Sequence, residues 1–250
     1  SKSVAAKLQR AGLQKGDRVY LAGENAPAWP IAYFGILRAG GCAVPVDANA
    51  EGFAAANILR ESGAKFAVWD AHVEEKAGKE LRAATSTLTH FALSDLAAQY
   101  GDEAEPTEVP LDETDTASVI FTSGTTGKPK GVLLSHANFT SIVAALSPLF
   151  PLTERDRVLS VLPLHHTFEF TCGLLLPFSR GTRILYLDAL TGDRVSRGMR
   201  EGRITAMVGV PAVWQLLERR ILSHRYGFGG GAFFYDGGMY DPVNDRWNNG

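Results

Sequence analysis

The chain has 250 residues, of which 45% are apolar, and a formal net charge of −2 at pH 7. Such a composition suits a globular protein with a sizeable core and excludes a disordered chain; the charge balance argues against a nucleic-acid partner, so any phosphate chemistry must be local. The two cysteines, Cys42 and Cys172, stand far apart without metal-ligand spacing, which excludes a disulfide framework and a zinc site and points to a reducing, cytosolic setting.

The start, SKSVAAKLQR, has neither a signal core nor a Met, as expected of a chain that begins inside a longer protein. Val4, Leu8 and Ala11 share one helical face, and Gly12 ends that helix. A strand follows at RVYLAG, then a helix at AWPIAYFGILRAGG with Trp29, Tyr33, Ile36 and Leu37 on one side, then a strand at CAVPV. AAANILRESGA and KFAVWD repeat the pair. Helix and strand thus alternate over the first part of the chain, which predicts an α/β fold of layered, parallel-type sheets with helices on their faces and right-handed crossovers.

Between Glu74 and Asp115 the periodicity weakens. EEKAGKELRAATSTL reads as a surface helix, and the acidic stretch from Tyr100 to Thr114 as an exposed connection. Ala117 to Phe121 and GVLLS then read as two strands around a loop, and Ser135 as the N-cap of a helix through HANFTSIVAALSPLF. Beyond it the pattern predicts a strand at RVLSVLP, a helix at CGLLLPFSRG, strands at TRILYL and ITAMVGVP, and a helix at AVWQLLERRIL. No apolar run reaches the roughly 18 residues of a membrane span, so no integral membrane segment is expected and any membrane contact is peripheral.

The loop between the two middle strands is TSGTTGKPK. Gly124 and Gly127 permit a backbone whose N–H groups converge on one point, and Thr122, Ser123, Thr125 and Thr126 add hydroxyls. Lys128 and Lys130 supply charge that a neutral ligand would not require, so the loop reads as a cradle for a polyphosphate such as that of ATP. It is not a Walker A loop, because only two residues separate the glycines, Pro129 follows Lys128, and a strand follows where a helix should. A solvated Gly/Thr hairpin is the plainer alternative.

With its flanks, FTSGTTGKPKGV resembles the signature loop of the adenylate-forming enzymes: acyl-CoA synthetases, adenylation domains of peptide synthetases, and luciferases. ILRAGGCAVPVDANAEGFAAANILRESGAKFAVWD, LPLHHTFEF and ITAMVGVPAVWQLLE are similar to further segments of that superfamily. The resemblance covers about residues 4 to 224 and is nearest to synthetases for medium-chain or long-chain fatty acids. It implies the front part of a large N-terminal domain (1–224) and a two-step reaction: a fatty acid attacks the α-phosphate of Mg²⁺-bound ATP, and the acyl adenylate is captured by the thiol of coenzyme A or an acyl carrier protein. By resemblance, Thr122 to Lys128 bind the nucleotide, Thr122 also helps to place Mg²⁺, and His166, Lys128 and Lys130 are the catalytic candidates. An imidazole suits that place because it donates to an anion and titrates near neutral pH; a satisfied core histidine is the plainer alternative. Phe168, Phe170 and Trp214 are candidates for an acyl channel or for plain core, and Asp188 and Asp193 receive no role.

The superfamily completes its nucleotide site with an aromatic-Gly-x-Thr-Glu segment, a later Thr-Gly-Asp segment and a C-terminal domain carrying a catalytic Lys; this sequence contains none of them at those places. Thr191 to Asp193 spell Thr-Gly-Asp, but too early in the chain. Residues 225–250 change texture to Gly, aromatics, Asp and Asn and resemble part of a kelch blade, one copy of which cannot fold alone. The alternatives to a fatty acyl-CoA ligase are an acyl-AMP ligase that loads a carrier protein, a non-catalytic ATP-binding fragment, and a kelch-type interaction protein.

Overall fold

The computed structural model describes residues 1–85, 87–97, 105–122, 129–187, 190–224, 233–235, 238–241 and 246–248, with side chains up to residue 218. Strands β1 (Arg18–Ala22), β2 (Cys42–Val46), β3 (Phe66–Trp69), β4 (Thr89–Ala92), β5 (Thr116–Thr122) and β6 (Lys130–Ser135) form one sheet of order β4-β3-β1-β2-β5-β6. All neighbours are parallel except β6, which runs antiparallel to β5. The helices α1 (Lys2–Arg10), α2 (Ala28–Arg38), α3 (Gly52–Ser62), α4 (Ala71–Ala84) and α5 (Leu93–Ala97) belong to the same unit.

Two apolar layers sandwich this sheet, which is why β2 and β3 are buried at every residue. On one side Tyr20, Val44, Val46 and Trp69 meet Leu59 of α3 and Val73 and Leu81 of α4. Burying each such leucine contributes roughly 1.5–3 kcal/mol. On the other side α2 points Trp29, Tyr33 and Ile36 inward and packs against α1 and α5. The helix ends follow their local chemistry. Gly63 closes α3 with a left-handed φ of 63°, and Asp70 caps α4 by accepting from the Val73 N–H at 2.9 Å. α4 is thus more than a surface helix, because Val73, Ala77, Gly78 and Leu81 are buried.

Pro45 sits inside a central strand, where proline is unusual because it has no N–H for a ladder. The sheet reflects this. β1 and β2 register over five pairs from Arg18↔Cys42 to Ala22↔Val46, whereas β2 and β5 register only at Ala43↔Ser118. A buried side-chain bond of 2.7 Å between Tyr33 Oη and Ser118 Oγ ties β5 to α2 instead. After β6, α6 (His136–Leu146) starts at a reciprocal capping pair of Ser135 and Asn138.

A second unit comprises 152–162 and 172–250, while 163–171 belongs with the first. Its parallel sheet has the order β8-β7-β9, from β7 (Arg157–Ser160), β8 (Arg183–Tyr186) and β9 (Ala206–Met207). α8 (Gly192–Gly202) and α9 (Pro211–His224) cover it through Leu159, Val195, Val213 and Leu217. The predicted helix at CGLLLPFSRG is a π-helix, Glu169–Leu175, followed by α7, Leu176–Ser179. Pro177 has no N–H for the carbonyl of Gly173 and its ring crowds that carbonyl, which a wider turn relieves. Among the described residues of the tail are three short antiparallel strands, β10 (Phe233–Tyr235), β11 (Gly238–Asp241) and β12 (Arg246–Asn248).

Candidate active site

Ligands of parallel α/β sheets bind beyond the carboxyl ends of the strands. In the first unit β1, β2 and β5 run the same way, so the segments that leave Ala22, Val46 and Thr122 emerge at one end of the sheet. Those segments carry Asn25, Asp47 and the TSGTTGKPK loop.

Thr122 and Lys130 are register partners that close the β5–β6 ladder, and both are exposed. Thr122 Oγ1 donates to the Lys130 carbonyl at 3.5 Å, the long limit of a hydrogen bond. The two strands that the sequence predicts are present and pair antiparallel, with Thr122 and Lys130 at the end of the ladder. Ser123, Gly124, Thr125, Thr126, Gly127 and Lys128 lie outside the described residues.

Asn25 fixes the double-histidine segment, because its Oδ1 accepts from the Leu164 N–H at 3.0 Å. The loop that carries Asn25 is itself tied down: the Glu24 N–H donates to Asp70 Oδ2 at 2.7 Å. The His165 and His166 rings lie 4.0 Å apart at 44°. His165 is half-buried and His166 exposed. Burial, reinforced by the neighbouring His166, lowers the His165 pKa to about 4 against the opposing charge of Asp47, so His165 is neutral at neutral pH. A neutral, packed ring thus stands beside an exposed one that can meet an anion.

Residues 1–233 match the sequence profile of a family described as AMP-binding enzyme. The chain belongs to the AMP-binding enzyme family. It is 33% identical over 268 residues to a long-chain-fatty-acid–CoA ligase of Yersinia pestis, covering 90% of this chain and 47% of that protein. It is 28% identical to a feruloyl-CoA synthase of an Amycolatopsis species, covering 84% of this chain and 42% of that one. Among solved structures it superposes on the nonribosomal peptide synthetase FmoA3 in its AMPPNP-bound form with a TM-score of 0.77 and 25% identity, over 89% of this chain and 23% of that one. The chain spans about half the length of the curated relatives it matches.

The sequence-predicted residues part company. Thr122 and Lys130 are placed by the β5–β6 hairpin, and His166 by the Asn25 anchor, at the same strand ends. Phe170 is core: 3% exposed, it packs against Tyr33 at 4.6 Å and Phe139 at 5.2 Å. Phe168 is 48% exposed. Trp214 packs on the core of the second unit, where its indole donates to the Gly209 carbonyl at 3.2 Å. Thr191 caps α8 by accepting from the Arg194 N–H at 3.3 Å, so its Thr-Gly-Asp begins a helix. Asn25 and Asp47 escaped the sequence reading, although each follows a predicted strand, the position from which they could have been found.

Among the described residues no group of three or more His, Cys, Asp or Glu could hold a metal ion, and no helix is long and apolar enough to cross a membrane.

Proposed function

We propose that the protein to which this chain belongs activates a fatty acid with ATP, forming an acyl adenylate and pyrophosphate, and transfers the acyl group to the thiol of coenzyme A. The observation that carries the proposal is the shared placement, at one sheet terminus, of the ends of a polyphosphate loop and an exposed imidazole anchored by Asn25. A carboxylate oxygen attacks the α-phosphorus, and the bond to the bridging oxygen of the β-phosphate breaks. Negative charge grows on the departing pyrophosphate. The loop amides and hydroxyls from Thr122 to Gly127, with Lys128 and Lys130, meet that charge with fixed donors. His166 donates to the acyl carboxylate or the α-phosphate, and neutral His165 packs beside it without adding charge.

Mg²⁺ neutralises the nucleotide's phosphates when bound. The Thr122 hydroxyl would help to hold it, beside the phosphate oxygens of the nucleotide. A fatty substrate is favoured over an aromatic one because the Yersinia pestis ligase is the more identical relative.

Two measurements test the proposal. Equilibrium dialysis should show that the chain binds labelled ATP, with affinity reduced at least tenfold in Lys128→Ala; unchanged affinity in both Lys128→Ala and Thr125→Ala sinks the loop assignment. ATP–pyrophosphate exchange with acids of graded chain length, against ferulate, reads the substrate class. Exchange supported by ferulate alone refutes the fatty-acid reading.

A further inference from the structure

Lys130 is the last lysine of the chain, and every later fixed cation is an arginine. In the second unit several of these gather where β7 and β8 begin. Arg157 and Arg183 are register partners on adjacent strands, a like-charge pairing that costs stability unless something offsets it. Arg157 is accounted for: its guanidinium donates to the Gly202 carbonyl at the end of α8, at 3.1 Å. Among the described residues Arg155, Arg180 and Arg183 show no side-chain hydrogen bond or ion pair, and all three are exposed.

A concavity of about 610 Å³ opens at this end, lined by Leu152, Thr153, Glu154, Arg155, Ser179 and Arg180. Its walls are held by bonds that leave those arginines uncommitted. Asp156 accepts from Thr153 N and Oγ1 at 2.8 and 2.9 Å and from Thr205 Oγ1 at 2.8 Å. These bonds hold its carboxyl below the usual range, Thr205 first. Thr182 Oγ1 donates to the Thr153 carbonyl at 2.8 Å and pins the two loops together. Among the described residues Glu154 is the one carboxylate on the lining, against two guanidinium groups.

We propose that this concavity is a binding site for a phosphate ester, with the phosphate held by Arg155 and Arg180 and the organic body lying in the remaining volume. Three features favour a phosphate. Guanidinium groups match its oxygens in pairs where an ammonium would act as a point charge. A dianion offsets several positive groups at once. The concavity is open to solvent and leaves room for more than a bare phosphate. The site lies at the amino ends of its strands, within the second unit, and uses none of the residues assigned to nucleotide binding. Such an ester is either a soluble metabolite or a lipid headgroup, and the chemistry of the seat is the same for both.

The test uses the full chain with two probes: glycerol 3-phosphate in equilibrium dialysis, and phosphatidylcholine vesicles containing phosphatidic acid in a sedimentation assay. Wild type is compared with Arg155→Gln/Arg180→Gln and with Arg197→Gln, an exposed α8 arginine that lies 3.9 Å from Glu201 and does not line the concavity. Binding to at least one probe, weakened at least tenfold in the double variant and unchanged in Arg197→Gln, supports the site. Retention by vesicles alone assigns a lipid headgroup, and retention of the soluble ester assigns a metabolite. Failure to bind either probe, equal binding by wild type and the double variant, or an equal loss in Arg197→Gln overturns it. The substituted side chains are exposed, so an unchanged melting temperature verifies that the variants fold.

Discussion

Removing the Tyr33 hydroxyl tests what ties β5, the strand that leads into TSGTTGKPK, to the rest of the unit. Tyr33→Phe keeps the ring stacked on Trp29 at 5.6 Å and against Phe170 at 4.6 Å, so the change is confined to one oxygen. It leaves Ser118 Oγ, fully buried, without its 2.7 Å partner. Loss of a buried bond with one group left unsatisfied costs about 1–3 kcal/mol. At about 2–4 °C per kcal/mol for a chain of this size, the melting temperature should fall by roughly 2–12 °C. Ser118→Ala should cost a similar amount by stranding the tyrosine hydroxyl. The double variant should cost little more than either single one, giving a coupling of about 1–2 kcal/mol. Urea unfolding followed by tryptophan fluorescence provides the four values of the cycle. Additivity of the two single changes within about 0.5 kcal/mol would refute the reasoning, because it would mean the pair contributes nothing as a pair.

Stability should fall as pH drops from about 6.5 toward 4, because His165 has its folded pKa lowered to about 4 and the unfolded chain takes the proton first. His90 and His136 are lowered too, both chiefly by burial, so the readout is the difference made by His165→Gln, which should flatten the profile by on the order of 2 kcal/mol. Gly35→Ala should destabilise by about 1–3 kcal/mol, since a Cβ there would overlap Val4 of α1; a melting temperature equal to wild type would show that α1 shifts freely. Asp70→Ala removes both the α4 cap and the Glu24 anchor and should cost about 1–2 kcal/mol in chemical denaturation.

Much of the first unit was legible because its signals are local and agree with one another. Trp29, Tyr33 and Ile36 fall on one helical face, Gly63 stops α3, Ser135 caps α6, and the two apolar runs around TSGTTGKPK give the hairpin. Legibility failed where burial overrode pattern. The buried Val73, Ala77 and Leu81 of α4 sit in a charged sequence, and its cap, Asp70, lies before the stretch that looked helical. α8 was missed because Gly192, Gly198 and Gly202 lower helix propensity, although Gly198 serves close packing: a Cβ there would come within 2.8 Å of Leu187 Cδ2. At the candidate active site the motif residues could be read from the chain, whereas what Asn25 and Asp47 do depends on contacts made across the fold.

The proline in β2 also shapes how the molecule breathes. With a single register pair joining β2 to β5 against six joining β5 to β6, the β5–β6 hairpin is bound to its partner strand more tightly than to the sheet. Backbone amides along β5 should therefore exchange with deuterium sooner than those of β1, as a cooperative segment of low opening free energy. A ligand gripping the loop would draw on that compliance, and its arrival would register as slowed exchange on the hairpin while β1 and β3 keep their protection.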